Sequence, residues 1–321
     1  MKTLLLLTAA LLFPPGSRPD ELRRERLPAD VDFVVHLDFE GLQRTELWRH
    51  VKESSGAELE IEDFDEEFGE FKERFGLDPF TDVRAVTLYK MESEEDPTVA
   101  LFSTTAKIDQ ALAAGQKEPG YARIREGGIE LHTWQHHDDG QDETVCAYIH
   151  VLRGDERVAV LASNKESALR AARVLRGEQP NHAAGGSLLT LNPAPGSFLY
   201  LAAANISQLD EFSPASQVFG LAQGIQVDLG EAGGFLQAHM GVATDSPENA
   251  RNVSDVVQGL IALGSLAGGE LGPALELLRA VRLNTRGSLV TVDFSFGVQR
   301  LIEILETVHD GDEGDDGEEP R

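Results

Sequence analysis

The chain has 321 residues, of which 41% are hydrophobic, and its formal net charge at pH 7 is −27. This length and apolar content allow one large or two medium hydrophobic cores. The acidic excess argues against binding to nucleic acid or to an anionic membrane surface, because both require a basic patch. The single cysteine, Cys146, cannot form a disulfide within the chain, so stability must come from packing.

The N-terminus has the pattern of a secretion signal. Lys2 supplies a positive end, and it precedes an apolar run of roughly ten residues that is too short to span a bilayer. We therefore expect residues 1–17 to be a signal peptide and the protein to be exported to the periplasm or the extracellular space. No other segment is apolar enough to span a membrane, so the mature chain is expected not to cross one.

The chain after the signal repeats a plan of strand, capped turn and helix. The clearest example is 157–177, where a valine-rich strand precedes Ser163 and Glu166. Their spacing is that of a capping box, in which each side chain satisfies a backbone N–H of the first helical turn. An apolar helical face follows, and Gly177 is a natural end because glycine adopts a positive φ without penalty. The same plan appears at 99–115.

Similar segments recur in the second part of the chain. The units 235–264 and 286–307 again combine a strand with a helix. The opening strands of the two parts, 28–37 and 193–202, share a Pro-Ala pair and a phenylalanine five residues after the proline. We interpret this as a diverged tandem duplication. The alternative is that any α/β chain yields such similar segments.

These elements predict an α+β fold in two similar halves, each a mostly antiparallel sheet with helices packed on one face. The first half is expected at 28–180 and the second at 187–307, with a polar, Gly- and Pro-rich connection between them. Residues 308–321 are low in hydrophobicity and high in charge, which predicts a disordered acidic tail. Oxygen ligands in this tail could bind calcium weakly, although it lacks an ordered calcium loop.

A stripe of large apolar residues runs through the acidic segment after Ser55 (Ile61, Phe64, Phe68, Phe71 and Phe75). The steps of three and four residues predict a helix with one apolar face. We expect this face to pack on the protein's own sheet. Docking on a partner protein is the alternative interpretation.

One hairpin, 131–151, carries the residue types that bind zinc or copper. Alternation along the strands places His132 and His136 on one face, and Cys146 and His150 on one face of the next strand. The predicted turn puts His136 opposite Cys146. His132 then lies opposite His150. These four residues form a candidate metal site, although their spacing matches no known zinc motif and a polar exposed hairpin is the alternative.

Sequence motifs of enzymes were sought and not found. The chain has no G-x-S-x-G elbow, no H-E-x-x-H, no phosphate loop and no G-x-G-x-x-G. We therefore predict an exported, non-enzymatic binding or structural module with an unknown protein or small-ligand partner. One alternative is a carrier of a small ligand or of zinc or copper, which would use the hairpin or a groove between the halves. Another is an enzyme without a recognisable motif.

Four stretches carry a resemblance to a known family. They are LPADVDFVVHLDF, FGLDPFTDVRAV, VAVLASNKESALRAARVL and SLLTLNPAPGSFLYL. Together with the layout from Leu27 to Glu306, they resemble a family of exported bacterial proteins known only as a domain of unknown function. The resemblance implies an exported, duplicated α+β fold. It transfers no active-site residue to this chain.

Overall fold

The computed structural model describes residues 22–54, 72, 76–77, 79–91, 98–138, 141–184, 193–194, 196–204, 221–266 and 272–312. The strands are β1 (Val31–Asp38), β2 (Val83–Met91), β3 (Val99–Thr104), β4 (Ala122–Glu126), β5 (Ile129–Asp138), β6 (Gln141–Val151), β7 (Arg157–Ala162), β8 (Ser197–Ala204), β9 (Ala222–Ala232), β10 (Phe235–Thr244), β11 (Val281–Arg286) and β12 (Leu289–Gly297). The helices are α1 (Phe39–Gln43), α2 (Glu46–Ser54), α3 (Pro79–Asp82), α4 (Ile108–Gly115), α5 (Lys165–Leu175), α6 (Pro247–Leu266), α7 (Gly272–Arg279) and α8 (Val298–Asp312). Two short 3-10 turns span Arg24–Arg26 and His182–Ala184.

The twelve strands form one continuous sheet. Its order is β11, β12, β10, β9, β8, β1, β2, β3, β7, β6, β5, β4, and every neighbouring pair is antiparallel. The prediction of two halves, each with a sheet of its own, is wrong, because β1 pairs with β8 from Phe33↔Ala203 to Leu37↔Leu199. This pairing uses the N–H and C=O groups that an edge strand of a separate sheet would leave open. The predicted tandem duplication, with boundaries at 28–180 and 187–307, is not tested by the strand order and stays a prediction.

Helices cover both faces of the sheet, whereas we predicted two half-sheets with helices on one face of each. Residues directly opposite one another in antiparallel strands share a face. The face defined in this way by Val34, Tyr89 and Val99, and extended to Tyr200 by alternation along β8, is called here the Tyr200 face. Helix α5 packs on this face over β3, β5, β6 and β7, whereas α6 packs on the opposite face over β10, β11 and β12.

The hydrophobic core is likewise divided between the two faces of the sheet. The cluster beneath α5 joins alanines and leucines of that helix to valines of β3 and β7 (Ala168, Leu169, Ala171, Ala172, Val99, Val158 and Val160). On the opposite face, one cluster surrounds Phe39 and Leu42 of α1, and another joins Ala250 and Val253 of α6 to Val242. Burial of these apolar side chains is the main driving force for the fold.

Helix α5 shows how the local sequence sets the element boundaries. Its N-cap is Asn164, whose Oδ1 accepts a hydrogen bond from the N–H of Ser167 at 2.8 Å. The predicted cap, Ser163, is one residue away. Gly177 ends the helix as predicted, with a φ of 71°, and its N–H donates to the carbonyl of Val174 at 2.9 Å.

Several sequence predictions fall outside the described residues. They are the signal peptide at 1–17, the phenylalanine stripe at 61–75 and the part of the predicted acidic, calcium-binding tail, 308–321, that follows residue 312. The first five residues of that tail, 308–312, belong to the end of α8. Within the described part of the chain, none of the helices combines the length with the apolar character that crossing a membrane requires.

Candidate functional site

The predicted metal residues of the β5–β6 hairpin do not converge. Cys146 lies opposite Thr133 and not opposite His136, and His132 lies opposite Ala147. The difference of three residues along β5, from 136 to 133, is odd, so it moves the partners to opposite faces of the sheet. His132 and Cys146 therefore lie on opposite faces. Among the described residues, no three His, Cys, Asp or Glu side chains are grouped so that they could hold a metal ion.

The register could have been predicted from the turn. Asp139-Gly140 is the dipeptide typical of a two-residue hairpin turn, and it would have placed Asp138 opposite Gln141. This is the observed pairing. Our prediction instead centred the turn later in the sequence, and the register error followed from that choice.

The described candidate residues of the hairpin are buried or lie next to a tyrosine hydroxyl. His132 Nδ1 lies 3.0 Å from the hydroxyl of Tyr121, and burial lowers the pKa of His132. His150 Nδ1 lies 3.3 Å from the hydroxyl of Tyr148, and burial again lowers the pKa of the imidazole. Cys146 is fully buried, and its burial raises the pKa of the thiol, which disfavours the thiolate that binds metals. His136 pairs with Glu143 through the backbone, and its side chain is outside the described part.

A row of polar residues crosses the Tyr200 face instead. The members lie directly opposite one another in β2, β1, β8, β9, β10 and β12 (Thr87, His36, Tyr200, Asp228, His239 and Asp293). On the other side of Thr87 the row continues beneath α5 with Leu101 and Val160. The row therefore changes from apolar to polar where the cover of α5 ends. Sequence reasoning missed it because the row joins strands that are distant along the chain.

Three contacts organise this polar row. His36 Nδ1 lies 2.8 Å from Thr87 Oγ1, and both side chains are buried. The hydroxyl of Ser197 donates to Asp228 Oδ1 at 3.1 Å. Further out, His239 and Asp293 form an exposed pair. The centre of the row, at Tyr200, lies at the junction between β1 and β8.

A cleft of about 520 Å³ opens at this junction. Its lining comes from four places: the strands, the segment before β1, the region of α1 and α2, and the segment before β8 (Leu22, Arg24, His36, Asp38, Gly41, Arg44, Thr45, Pro193, Ala194, Gly196, Ser197, Phe198, Leu199, Tyr200 and Glu231). We call it the seam cleft. It joins residues that are more than 150 positions apart along the chain, such as Arg44 and Ser197.

The two carboxylates of the seam cleft cap helices. Asp38 is the N-cap of α1, and its Oδ1 accepts a hydrogen bond from the N–H of Gly41 at 2.9 Å. The approach is so close that a Cβ on Gly41 would lie 2.6 Å from Asp38 Oδ2. Glu231 accepts the N–H groups of Glu46 and Leu47 at 2.7 and 3.1 Å, at the start of α2. Carboxylates at these positions stabilise the unpaired N–H groups and the positive end of each helix.

Tyr200 is the unusual member of the lining. Its side chain is only 1% exposed, and its hydroxyl has no hydrogen-bond partner among the described residues. Burial raises the pKa of the phenol; Arg24 opposes the rise and Asp228 adds to it. The hydroxyl therefore stays protonated and can donate a hydrogen bond.

A second buried side chain, His182, lies close to the segment before β1, which contributes to the lining of the cleft. His182 is 2% exposed, and neither ring nitrogen has a hydrogen-bond partner in the described part of the chain. Its backbone N–H donates to the carbonyl of Leu27 at 2.8 Å, next to the Pro28↔Asn181 bridge. Burial lowers the pKa of His182, and the nearby charge of Arg24 lowers it further.

Comparison with known proteins gives little beyond the structure itself. No protein-family model matches the chain, and no curated protein matches it. Among solved structures, crystal form III of TP0453 is similar with a TM-score of 0.43 and 10% identity, over 91% of this chain and 99% of that chain. Crystal form I of TP0453 gives a TM-score of 0.42 and 11% identity, over 91% and 98%. Because both TM-scores are below 0.5, we derive no function from this similarity.

Proposed function

We propose that this protein is a non-enzymatic binding protein that holds a small organic molecule in the seam cleft. The observation that carries the proposal is the Tyr200 hydroxyl, which is buried and unpaired among the described residues. A buried hydroxyl without a partner costs about 1–3 kcal/mol, and such groups in a folded protein call for an explanation. A ligand that accepts the hydrogen bond provides one.

The shape of the cleft supports the same proposal. Its volume of about 520 Å³ lies within the range of roughly 300–1,000 Å³ that is common for small-molecule sites. Its floor includes His36 and Tyr200, which stand on paired central strands and are held in place by the sheet. Apolar residues such as Phe198 and Pro193 line it together with the polar groups, as is typical of ligand pockets.

The contacts of the polar lining favour binding over catalysis. A nucleophilic hydroxyl requires a base within hydrogen-bond reach. The hydroxyl of Ser197 donates to Asp228, which is a weak base, whereas His36 Nδ1 is next to Thr87. The serine and the histidine of the cleft are therefore not arranged as a nucleophile and its base. The net charge of −27 supports the further proposal that nucleic acid is not a partner.

The predicted signal at residues 1–17 supports an exported location, and we propose that the ligand is met in the periplasm or outside the cell. The metal-carrier alternative is not proposed, since His132 and Cys146 lie on opposite faces of the sheet.

Native mass spectrometry of the protein purified from its own host tests the proposal. We expect an added mass of a few hundred daltons, which denaturation releases. The variant Tyr200→Phe should lose most of this mass. The matched control is Tyr148→Phe, because that hydroxyl lies 3.3 Å from His150 on the part of the sheet covered by α5. The proposal is wrong if wild-type protein carries no added mass and binds nothing from an extract of its host's culture medium.

A further inference from the structure

We infer that the ligand of the seam cleft presents an oxyanion, a carboxylate or a phosphate group, to the Tyr200 hydroxyl and to the guanidinium groups of Arg24 and Arg44. This inference rests on the proposed function. It specifies the chemistry of the ligand from the donors and acceptors that the cleft offers.

Three of the four carboxylate oxygens that line the cleft accept backbone N–H groups. Both oxygens of Glu231 accept N–H groups at the start of α2, and Asp38 Oδ1 accepts the N–H of Gly41. These hydrogen bonds satisfy helix ends that would otherwise need water or a ligand. A cationic ligand would have to compete with helix N-termini for these carboxylates. The engaged acids therefore favour a ligand that accepts hydrogen bonds over one that donates them.

The donors of the cleft point to the same class of ligand. The Tyr200 hydroxyl can donate and has no acceptor among the described residues. Arg24 lines the same cleft as Tyr200, and its positive charge acts to lower the pKa of both Tyr200 and His182. A phenol and a guanidinium that line one cleft can bind the two oxygens of one carboxylate or phosphate.

Arg44 adds a second positive group to the lining. It follows the last residue of α1, and its side chain is 33% exposed. Its guanidinium lies 4.0 Å from the carboxylate of Glu40, which is at the limit for an ion pair. Arg44 can therefore turn towards an anion at little cost. The two arginines balance the charges of Asp38 and Glu231, so the cleft lacks the acidic excess of the chain as a whole.

The rest of the ligand is expected to be apolar. Leu22, Pro193, Ala194 and Phe198 line the cleft together with the charged groups. Their surface suits a short hydrocarbon chain or a ring attached to the oxyanion. A small amphipathic anion satisfies both parts of the lining.

Calorimetric titration with three probes of matched size tests the inference: hexanoate, hexyl phosphate and the neutral hexanamide. We expect at least one anion to bind ten times or more as tightly as hexanamide, because a hydrogen bond to a charged group contributes about tenfold to a hundredfold in affinity. Tyr200→Phe and Arg44→Gln should each remove most of this preference. Arg153→Gln changes an exposed arginine away from the cleft and should leave the preference unchanged.

The outcomes separate the ligand class from the proposed function. Tighter binding of hexanoate identifies a carboxylate as the group, and tighter binding of hexyl phosphate identifies a phosphate. Equal binding of hexanamide overturns the oxyanion inference but leaves ligand binding in the cleft intact. If none of the probes binds, the oxyanion inference is overturned. The proposed function then stands only if protein from its own host carries a ligand. Arg24→Gln is a second variant that should reduce the preference for an anion over hexanamide. Circular dichroism tests whether each variant is folded.

Discussion

Tyr200→Phe should make the ligand-free protein more stable while it weakens ligand binding. The side chain is 1% exposed and its hydroxyl has no partner among the described residues. The substitution removes only the hydroxyl and leaves the ring, which belongs to the same apolar cluster as Val34 and Ala202. Tyrosine-to-phenylalanine changes normally lower stability when the hydroxyl is bonded, so a gain would identify an unpaired group.

The magnitude follows from the cost of an unpaired buried hydroxyl. That cost is about 1–3 kcal/mol, and the small space left by the removed oxygen offsets part of the gain. We therefore expect the free energy of unfolding to rise by about 1 kcal/mol in Tyr200→Phe without ligand. A ligand at one hundred times its dissociation constant stabilises wild type by about 2.7 kcal/mol. The variant should gain much less at the same concentration, so the ligand reverses the order of stability.

Urea unfolding followed by fluorescence and circular dichroism measures both effects. Tyr148→Phe is the control: it removes a hydroxyl that lies 3.3 Å from His150 Nδ1, and it should lower the free energy of unfolding by about 0.5–1.5 kcal/mol. If Tyr200→Phe instead lowers stability by 1 kcal/mol or more, the hydroxyl has a partner within the fold. The unpaired Tyr200 hydroxyl would then no longer support a ligand in the seam cleft.

Three further predictions concern the rest of the fold. Burial lowers the pKa of His182 below its value of 6.5 in the unfolded chain, so the stability that it contributes is full above pH 6.5 and falls as the pH drops through the folded pKa. Between pH 8 and pH 5, the free energy of unfolding in urea should therefore fall less in His182→Gln than in wild type. Equal decreases in the two proteins would contradict this. Asn164→Ala should lower the free energy of unfolding in urea by about 1 kcal/mol, because Asn164 accepts the N–H of Ser167. Ser163→Ala should change it by less than about 0.5 kcal/mol. If Ser163→Ala were the more destabilising change, the predicted serine cap would be correct. Gly230→Ala should lower the free energy of unfolding by about 1–3 kcal/mol in the same assay, since the new Cβ would lie 2.5 Å from the carbonyl oxygen of Gly196. An unchanged stability would show that β8 and β9 can separate locally.

The strand-and-helix units were predictable because their patterns are local. The segment 235–264 contains β10 and most of α6, which begins at Pro247. The segment 286–307 contains β12 and most of α8, which begins directly after Gly297. Periodicity specifies the face of an element and its approximate ends.

Which strands pair was not predictable from the same patterns. Val34 and Ala202 are both buried in strands of similar apolar character, and nothing in either sequence specifies that one becomes the neighbour of the other. Pairing of β1 with β8 is a long-range event that depends on the remaining edges of the sheet. The seam cleft exists only because of this pairing, and so the prediction from sequence missed it.

Some polar residues of the cleft have a recognisable pattern in the sequence. His36 and Asp38 alternate with Val35 and Leu37 in an otherwise apolar strand, and they follow Val34 on the same face. Polar groups at the end of the inward-facing positions of a strand indicate a bonded network or a site. The histidines of the β5–β6 hairpin carried a similar pattern, but the register of that hairpin separates His132 from Cys146.

A crystal structure of the protein with the ligand extracted from its own host would test the central claim most directly. We predict that the ligand lies in the seam cleft, with an oxygen atom about 2.5–3.0 Å from the Tyr200 hydroxyl oxygen. A ligand bound at another surface of the sheet, or a seam cleft that stays empty at a saturating ligand concentration, would contradict the account.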